Sequence, residues 1–367
     1  MVKPRSYSFY IYGHPNTRCT HKTTLEFTKD SNITPRGNCI LGVKASFKPD
    51  KLTRFIEENK KAPLFRVYIG GGKRKTEIIG KLNPDFRADN EIVLRKSDFK
   101  SKRTLLVKCN KAAEDIEKKV INKIRCPEKK LKIRIEPVFP KAIIFDFDDT
   151  LEDFRHAHKK TIEELAEVFN KRHSINNKEF IKVFYSTDKY FSWKGYSIRN
   201  LDRHNWFRRV AKELKIKLPN KEIEQLVVLY WNLVYKYARP IKGARQLVRW
   251  LNKRYKLIIL SDSDFGKSIK IKRIDKVIGK DFFRLIVTGD DIKRNKPSYK
   301  AYEYIKKHTG INFKTTIAIG DRPPKDLSVA KKLGMITIWI NRFKNNDNYK
   351  FVDYSVKELD EIKQILN

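Results

Sequence analysis

Two aspartates, Asp146 and Asp148, stand at the end of an apolar run in the stretch AIIFDFDDTLED, residues 142–153. Carboxylates this close repel each other unless a cation or a proton neutralises them. Hard oxygen ligands of this kind suit Mg²⁺. The pair therefore predicts either a metal site or a shared proton, in a chain whose formal net charge is +39.

Three later segments carry further groups that could act with this pair. Ser261 ends the apolar run KLIILS, Lys296 precedes a proline at a predicted helix start, and Asp321 and Asp326 lie in GDRPPKD, after TTIAIG. Each group lies just past a predicted strand. Because functional groups gather at the carboxyl ends of strands in an open parallel sheet, we expect these side chains to converge on the two aspartates.

The apolar pattern predicts the elements that position these groups. After residue 140, short apolar runs alternate with helical stretches, which is typical of a Rossmann-like parallel α/β sheet buried on both faces. Before residue 140, eight short runs predict strands, with helical stretches near 51–61 and 112–124. The predicted organisation is a β-rich domain over residues 1–138, an α/β core over 139–151 and 254–367, and a helical insert over 152–253.

The positive charge is spread along the whole chain. Residues 1–140 carry 33 basic and 15 acidic side chains, and residues 141–367 carry 49 and 28, so the net charges are +18 and +21. A dedicated nucleic-acid surface would concentrate the excess, and the even spread favours a proteome-wide bias such as hyperthermophiles show. Nucleic-acid binding stays an alternative, and in both cases the field attracts phosphorylated anions.

The sequence has no pattern that predicts a membrane-spanning protein or a disulfide-rich protein. No run reaches the roughly 18 apolar residues that a membrane span needs, and the start MVKPRSYSFYIYG lacks the apolar core of a signal peptide. We therefore expect a cytoplasmic protein with no membrane partner. The four cysteines form no CxxC pair, so neither a zinc ribbon nor a disulfide framework is indicated.

The segments DFDDTL, SDS, KPSY and GDRPPKDLSVAKKLG, in this order, resemble the haloacid dehalogenase-like hydrolase superfamily over about residues 141–360. The second aspartate places the resemblance in its phosphatase branch, because a halide leaving group needs no proton. The resemblance implies Mg²⁺ and an aspartyl-phosphate intermediate. It assigns the nucleophile to Asp146 and the general acid and base to Asp148. Ser261 and Lys296 are also catalytic residues in this assignment, and they bind the substrate together with Thr150. Metal binding is assigned to Asp146, the Asp148 carbonyl, Asp321 and Asp326.

In this superfamily, an insert at this position is a mobile helical cap, here of the C1 type, that closes over the site and excludes water. Four arginines of the insert could select the substrate, with a solvated helix surface as the alternative: Arg199, Arg203, Arg208 and Arg209. His156 and His158 follow the nucleophile, but metal ligation by them is not favoured.

Asp149 departs from the glycine of many relatives and is expected to point away from the metal. A sizeable cap favours a small phosphorylated substrate.

The N-terminal segments GHPN, HKTTLEFTKD, TPRG and CILGV resemble the archaeal domain of unknown function 371 over about residues 5–138, with a departure at Asn38, where we expect Asp. The candidate site residues here are His14, His21, Glu26, Arg36 and Cys39. His14, Cys19 and His21 could supply three zinc ligands, but no fourth has suitable spacing. Polar residues that pin a β-turn and a ligand or RNA site are the alternatives.

These patterns together predict a Mg²⁺-dependent hydrolase, in particular a phosphatase of a small phosphomonoester, fused to a β-rich domain that regulates it or supplies its substrate. The alternative is an RNA-associated basic protein in which the N-terminal domain binds nucleic acid and the C-terminal domain processes phosphate ends or is inert. The sequence sets neither the physiological substrate nor the oligomeric state.

Overall fold

The computed structural model describes residues 6–70, 76–87, 89–193, 195–264, 266–343 and 345–367. It forms two compact units. The N-terminal unit comprises the described residues through Phe139 together with Gln364–Asn367, and the C-terminal unit comprises Pro140–Lys363. The last four residues therefore cluster with the first unit, although the sequence analysis placed them in the α/β core. No helix of the described residues is both long and apolar enough to cross a membrane.

The N-terminal unit is an eight-stranded sheet whose two ends meet. Tyr12 and Val43 exchange backbone hydrogen bonds of 2.8 and 3.0 Å, which link the first and last strands in the sheet order β1-β8-β4-β5-β7-β6-β2-β3 and close it into a barrel. All eight predicted strands and both helical stretches are present. The elements are β1 Tyr7–Tyr12, β2 Thr24–Thr28, β3 Ile40–Gly42, α1 Pro49–Asn59, β4 Leu64–Ile69, β5 Thr76–Leu82, β6 Glu91–Arg95, β7 Thr104–Val107, α2 Lys118–Ile124 and β8 Lys130–Val138.

The C-terminal unit is built on a six-stranded sheet in which every pair of neighbours is parallel, as predicted. Its central strands are almost wholly buried because helices cover both faces. The sheet order is β11-β10-β9-β12-β13-β14. The strands are β9 Ala142–Phe145, β10 Lys256–Ser261, β11 Leu285–Thr288, β12 Thr316–Gly320, β13 Ile336–Ile340 and β14 Tyr354–Val356.

The helices of this unit divide into an inserted bundle and helices that lie along the sheet. The bundle, called the insert below, consists of α3 Phe154–His173, α4 Asn177–Trp193, α5 Arg203–Glu213 and α6 Asn220–Tyr237. Phe169, Phe184, Trp206 and Tyr230 form part of its own buried core. The remaining helices are α7 Ala244–Asn252, α8 Lys267–Val277, α9 Gly289–Ile292, α10 Tyr299–Thr309, α11 Pro323–Asp326, α12 Ser328–Lys332 and α13 Glu361–Leu366. The bundle ends at Tyr237, and α7, which the predicted insert included, contacts β10 instead.

Two chain segments connect the insert to the sheet, and they pair with each other. The Asp153 amide donates to the Arg239 carbonyl at 3.0 Å, and the Ile241 amide donates to the Leu151 carbonyl at 2.9 Å. The Arg239 guanidinium also binds the Asp153 carboxylate at 2.8 Å. The insert therefore leaves and rejoins the core through one short paired connection, close to the acidic end of β9.

Candidate active site

The carboxyl ends of the three adjacent strands β10, β9 and β12 bring the predicted site residues together. Asp146 follows β9, Ser261 ends β10, and Asp321 follows β12. The Asp146 amide donates to the Ile319 carbonyl at 2.9 Å, which anchors the turn to β12. Along the chain, Asp146 lies 115 residues before Ser261, and Ser261 lies 60 residues before Asp321; the parallel sheet makes them neighbours.

A buried lysine joins two of the carboxylates. Lys296 Nζ lies 2.5 Å from Asp146 Oδ1 and 2.6 Å from Asp326 Oδ1, and all three residues are 6% exposed. The Thr150 hydroxyl donates to Asp146 Oδ2 at 3.0 Å. Gly320 permits this packing, because a Cβ there would lie 2.5 Å from the Asp326 Cβ. Asp146, Thr150, Lys296 and Asp326 thus form one connected group.

Asp146, Asp321 and Asp326 can each turn a carboxylate oxygen toward a common point, with these atoms within 4.8 Å of one another. Both oxygens of Asp326 are engaged, by Lys296 and by the Arg322 amide at 2.8 Å. Asp321 Oδ1, in contrast, is buried and has no hydrogen-bond partner among the described residues. Lys296 pairs with Asp146 and Asp326 but not with Asp321, so the three carboxylates carry more negative charge than this lysine compensates.

The pKa values of Asp146 and Asp321 are raised, in line with the excess negative charge. Burial raises the pKa of Asp146 to about 6, and Asp326 and Asp148 act in the same direction against Lys296. Burial also raises the pKa of Asp321 well above its usual value, and Asp146 and Asp326 add to that shift. A divalent cation would remove both the excess charge and the unsatisfied Asp321 oxygen, so the residues present fit the predicted metal site.

Asp148 lies in a different environment from the three other aspartates. Its Oδ1 accepts from Arg273 at 2.5 Å, and its Oδ2 accepts from Lys270 at 2.5 Å and from the Ser261 hydroxyl at 3.2 Å. Although burial opposes ionisation, Lys270 and Arg273 hold the pKa of Asp148 far below its usual value. The carboxyl predicted to act as acid and base is therefore held here as a carboxylate, and the Ser261 hydroxyl predicted to bind phosphate is directed to it.

Lys270 and Arg273 of α8 were not identified from the sequence. Both are 0% exposed, and both also bind Asp264, at 2.9 and 2.7 Å. Arg273 pairs in addition with Glu152, at the start of the insert connection. The available signal is the spacing: in KSIKIKRIDKV, positions 270 and 273 share one helical face with the buried Ile274 and Val277, so basic residues occur where core residues are expected.

Asp149 adopts a left-handed backbone conformation, with φ of 59°. This conformation explains why glycine suits the position in related sequences. Its carboxylate accepts from the Arg155 amide at 3.0 Å and from the Arg155 side chain at 3.3 Å. The additional acidic residue is therefore bound to the first turn of α3 and is not part of the three-carboxylate group.

A cavity of about 350 Å³ lies between the strand ends and the insert. Its core side includes Asp148, Asp149 and Arg322, whereas Asp146 is not among its lining residues. Of the four arginines predicted to select the substrate, Arg203 alone is among the described residues that line this cavity. Arg209 instead pairs with Glu213 at 3.2 Å.

The polar residues singled out in the N-terminal unit are mostly satisfied locally. His21 Nδ1 accepts from the amides of Thr23 and Thr24, both at 3.2 Å. His14 Nδ1 accepts from the Asn16 amide at 3.1 Å, and its Nε2 lies 2.7 Å from Asn32 Oδ1. This is the turn-pinning arrangement that the sequence analysis held open.

The remaining candidates of this unit do not complete a metal site. The Cys39 thiol donates to Glu26 Oε2 at 3.7 Å, and burial raises the pKa of Cys39 to about 11, so the thiol stays protonated. Arg36 is exposed. The Cys19 thiol donates to the Ile40 carbonyl at 3.6 Å. Within the described part of the chain, one group of side chains has metal-binding geometry. It consists of Asp146, Asp321 and Asp326 in the C-terminal unit.

Comparison with known proteins confirms both resemblances. Residues 143–340 match the model of the haloacid dehalogenase-like hydrolases, and residues 9–138 match the domain of unknown function 371. An uncharacterised protein of Methanocaldococcus jannaschii is 36% identical over 121 residues, which cover 31% of this chain and 86% of that protein. It corresponds in length to the N-terminal unit alone.

Relatives of the C-terminal unit have assigned activities. A glyceraldehyde 3-phosphate phosphatase of M. jannaschii is 26% identical over 62% of this chain and 96% of its own length. The protein of the same description from Pyrococcus furiosus is 28% identical over 62% of this chain and 92% of its own. The magnesium-bound structure of the HAD-hydrolase YfnB of Bacillus subtilis superposes with a TM-score of 0.52 at 20% identity, covering 62% of this chain and 99% of that one, and so agrees in fold.

Proposed function

The chain belongs to the haloacid dehalogenase-like hydrolase family, and we propose that it is a Mg²⁺-dependent phosphatase of small phosphomonoesters. The observation that carries the proposal is the group formed by Asp146, Asp321, Asp326 and Lys296 at the ends of β9 and β12. Relatives described as glyceraldehyde 3-phosphate phosphatases support the same reaction class. Three carboxylates around one lysine suit a site that receives a cation and a phosphate together.

Asp146 is the proposed nucleophile. Its carboxylate would form a bond to phosphorus while the ester oxygen leaves, so that the phosphoryl group is carried on the aspartate. Thr150 and Lys296 hold the two oxygens of Asp146 at 3.0 and 2.5 Å and so set the orientation of the carboxylate. Lys296 also places a positive charge beside the attacking anion, which reduces its repulsion of the phosphate.

Asp146, Asp321 and Asp326 are the side chains that would hold Mg²⁺, with the predicted Asp148 carbonyl as a backbone ligand. When bound, the ion neutralises negative charge on the nucleophile and on the phosphoryl oxygens. Asp321 is the most direct ligand, because its Oδ1 is buried without a partner among the described residues. Asp326 orients Lys296 with one oxygen, so its share in metal binding is smaller or passes through water.

Asp148 is the proposed proton carrier. As a carboxylate it can accept the proton of the water that releases phosphate from Asp146. The protonated Asp148 would then give this proton to the leaving oxygen of the next substrate. The ion pairs with Lys270 and Arg273 oppose the protonated form of Asp148. We therefore expect esters with good leaving groups, which need no proton, to be hydrolysed faster than alkyl phosphates.

The test is phosphate release from a panel of small phosphomonoesters, in Mg²⁺ and in EDTA. Release that requires Mg²⁺, and that is faster from aryl than from alkyl phosphates, supports the proposal. A parallel assay with 2-haloacids measures halide release. Halide release without phosphate release, or phosphate release that EDTA leaves unchanged, contradicts it.

A further inference from the structure

The insert contributes a carboxylate to the wall of the cavity that faces the strand ends. Asp188 of α4 lines the cavity and keeps 30% of its side chain exposed. Its Oδ1 accepts from the Ser192 hydroxyl at 2.7 Å, and its Oδ2 lies 3.5 Å from His158 Nε2. Among the described residues, no lysine or arginine forms an ion pair with it. Asp188 thus presents acceptor oxygens to whatever occupies the cavity.

A buried chain of hydrogen bonds orients the neighbouring His158. Arg203 Nη2 donates to the Tyr230 hydroxyl oxygen at 3.2 Å, since an arginine side chain can only donate. We assign the Tyr230 hydroxyl, 2.9 Å from His158 Nδ1, as the donor to that nitrogen, because its oxygen already accepts from Arg203. This leaves the proton of a neutral His158 on Nε2, the nitrogen nearer to Asp188. The three residues are at most 7% exposed, so the arrangement is held rigidly.

His158 Nε2 is a buried donor without a hydrogen bond. Asp188 Oδ2 lies 3.5 Å away, beyond the usual hydrogen-bond length, and the residue is 7% exposed and lines the cavity. Buried polar atoms left unpaired cost free energy unless a ligand or water satisfies them. His158 and Asp188 therefore offer one donor and one acceptor side by side, and a hydroxyl group, which both accepts and donates, matches this pair.

Positively charged side chains also line the cavity. Arg322 and Lys325 line the cavity from the β12 side, and Arg322 forms no ion pair within the described ranges. Arg155 and Lys189 also line it, on the insert. The lining carries five cations and five aspartates, and Arg322 and Lys325 are the cations on the β12 side that favour the phosphate group of a ligand. The volume of about 350 Å³ is near the lower end for small-molecule sites, so the ligand is small.

We propose that Asp188 and His158 form a subsite that binds a hydroxyl group of the substrate, and that the substrate is a small hydroxylated phosphomonoester. This inference rests on the proposed function, because the phosphate is taken to face the strand ends while the hydroxyl group faces the insert. Asp188 and His158 are specificity-determining residues in this assignment. They select among phosphomonoesters and take no part in the transfer of the phosphoryl group.

The test compares glycerol 3-phosphate with propyl phosphate, which lacks the hydroxyl groups, and with phosphoethanolamine, which carries an ammonium group. In the native protein we expect kcat/KM for glycerol 3-phosphate to exceed that for propyl phosphate by about 10- to 100-fold. In Asp188→Ala the ratio should fall toward 1, and in Asp188→Asn it should be intermediate. Glu179→Ala, an exposed position of the same helix that does not line the cavity, should keep the native ratio.

A binding measurement separates this inference from the proposed function. In Asp146→Asn, calorimetry of the same compounds reports discrimination without turnover. Preference for glycerol 3-phosphate that disappears in Asp146→Asn/Asp188→Ala supports the subsite even where no hydrolysis is detected. Equal affinity for propyl phosphate, a preference for phosphoethanolamine, or a ratio that Asp188→Ala leaves unchanged overturns it.

Discussion

The two units of this protein both gather polar side chains, but they satisfy them in different ways. In the N-terminal unit, His21 accepts hydrogen bonds from two backbone amides two and three residues ahead of it. In the C-terminal unit, Asp146 and Asp326 come from distant segments and share Lys296, whereas Asp321 Oδ1 has no hydrogen-bond partner among the described residues. The first cluster is complete by itself, and the second requires additional positive charge.

This contrast teaches that the density of polar residues in a sequence does not by itself identify a site. GHPNTRCTH holds three metal-ligating side chains in nine positions, yet its histidines act as acceptors for local amides. A functional site is better identified by uncompensated charge, because leaving carboxylates buried and unpaired costs free energy that a folded protein keeps only where a ligand repays it.

The largest expected effect is the loss of turnover in Asp146→Asn. Removal of the nucleophile should lower kcat for phosphomonoester hydrolysis by at least about 10³-fold. The fold should persist, because an asparagine oxygen can still accept from Thr150 or Lys296. The far-ultraviolet circular dichroism spectrum controls for folding. Phosphate release at the native rate would remove Asp146 from the mechanism.

Arg273→Met should give the largest loss of stability. The change leaves Asp264, Glu152 and Asp148 buried with less compensating charge, and the expected cost is about 3–5 kcal/mol in the free energy of unfolding. Lys272→Met, an exposed position on the same helix, should change it by less than about 0.5 kcal/mol. Chemical denaturation measures both, and similar values for the two variants contradict the buried-pair account.

The acidic group should make metal-free stability fall as the pH rises. Asp146, with a folded-state pKa of about 6, and Asp321, whose pKa is also raised, bind protons more tightly when folded. Their contribution is therefore fully present below pH 4 and is lost as the pH rises through about 6 and above. Thermal unfolding in EDTA, measured over this pH range for the native protein and for Asp321→Asn, isolates the contribution of the acidic group to stability.

Mg²⁺ should reverse that loss at neutral pH. A ligand present at 100 times its Kd adds about 2.7 kcal/mol to stability, so the native protein should unfold at a higher temperature in Mg²⁺ than in EDTA. Asp321→Asn should be the more stable protein in EDTA and should gain less from Mg²⁺. An equal gain in both proteins would show that the ion binds elsewhere.

The smallest effect is expected in the N-terminal unit. His21→Ala removes two amide hydrogen bonds and should cost about 1–2 kcal/mol in stability, without a change in kcat. His21→Asn, whose side-chain oxygen can accept from the same turn, should recover part of that loss. Stabilisation of the native protein by Zn²⁺, abolished in His21→Ala, would instead favour the metal hypothesis.

Most of the fold could be predicted from the sequence, because each strand is a short apolar run bounded by polar residues. Local apolar patterns predict the strands AIIF, KLIILS and TTIAIG. The residues that follow these strands lie at the same edge in any parallel sheet. The sequence therefore predicts that Asp146, Ser261, Asp321 and Lys296 lie near one another. The limits of the insert were less certain, because α7 is helical like the bundle but packs on β10.

The closure of the N-terminal sheet depended on tertiary structure. Tyr12 and Val43 pair across the barrel, and neither residue carries a local sign of that contact. Register between distant strands is set by the packing of all eight strands around one core, so it is not a property of either segment.

By itself, the sequence determined the elements and the motif residues, since periodicity and adjacency are local properties. Tertiary structure alone decided the state of Asp148, whose partners Lys270 and Arg273 lie 122 and 125 residues away. It likewise decided that His158 and Asp188, on two different helices, face one cavity. The physical reason is that charge compensation and hydrogen bonding act over a few ångströms in space, whereas the sequence records only distance along the chain.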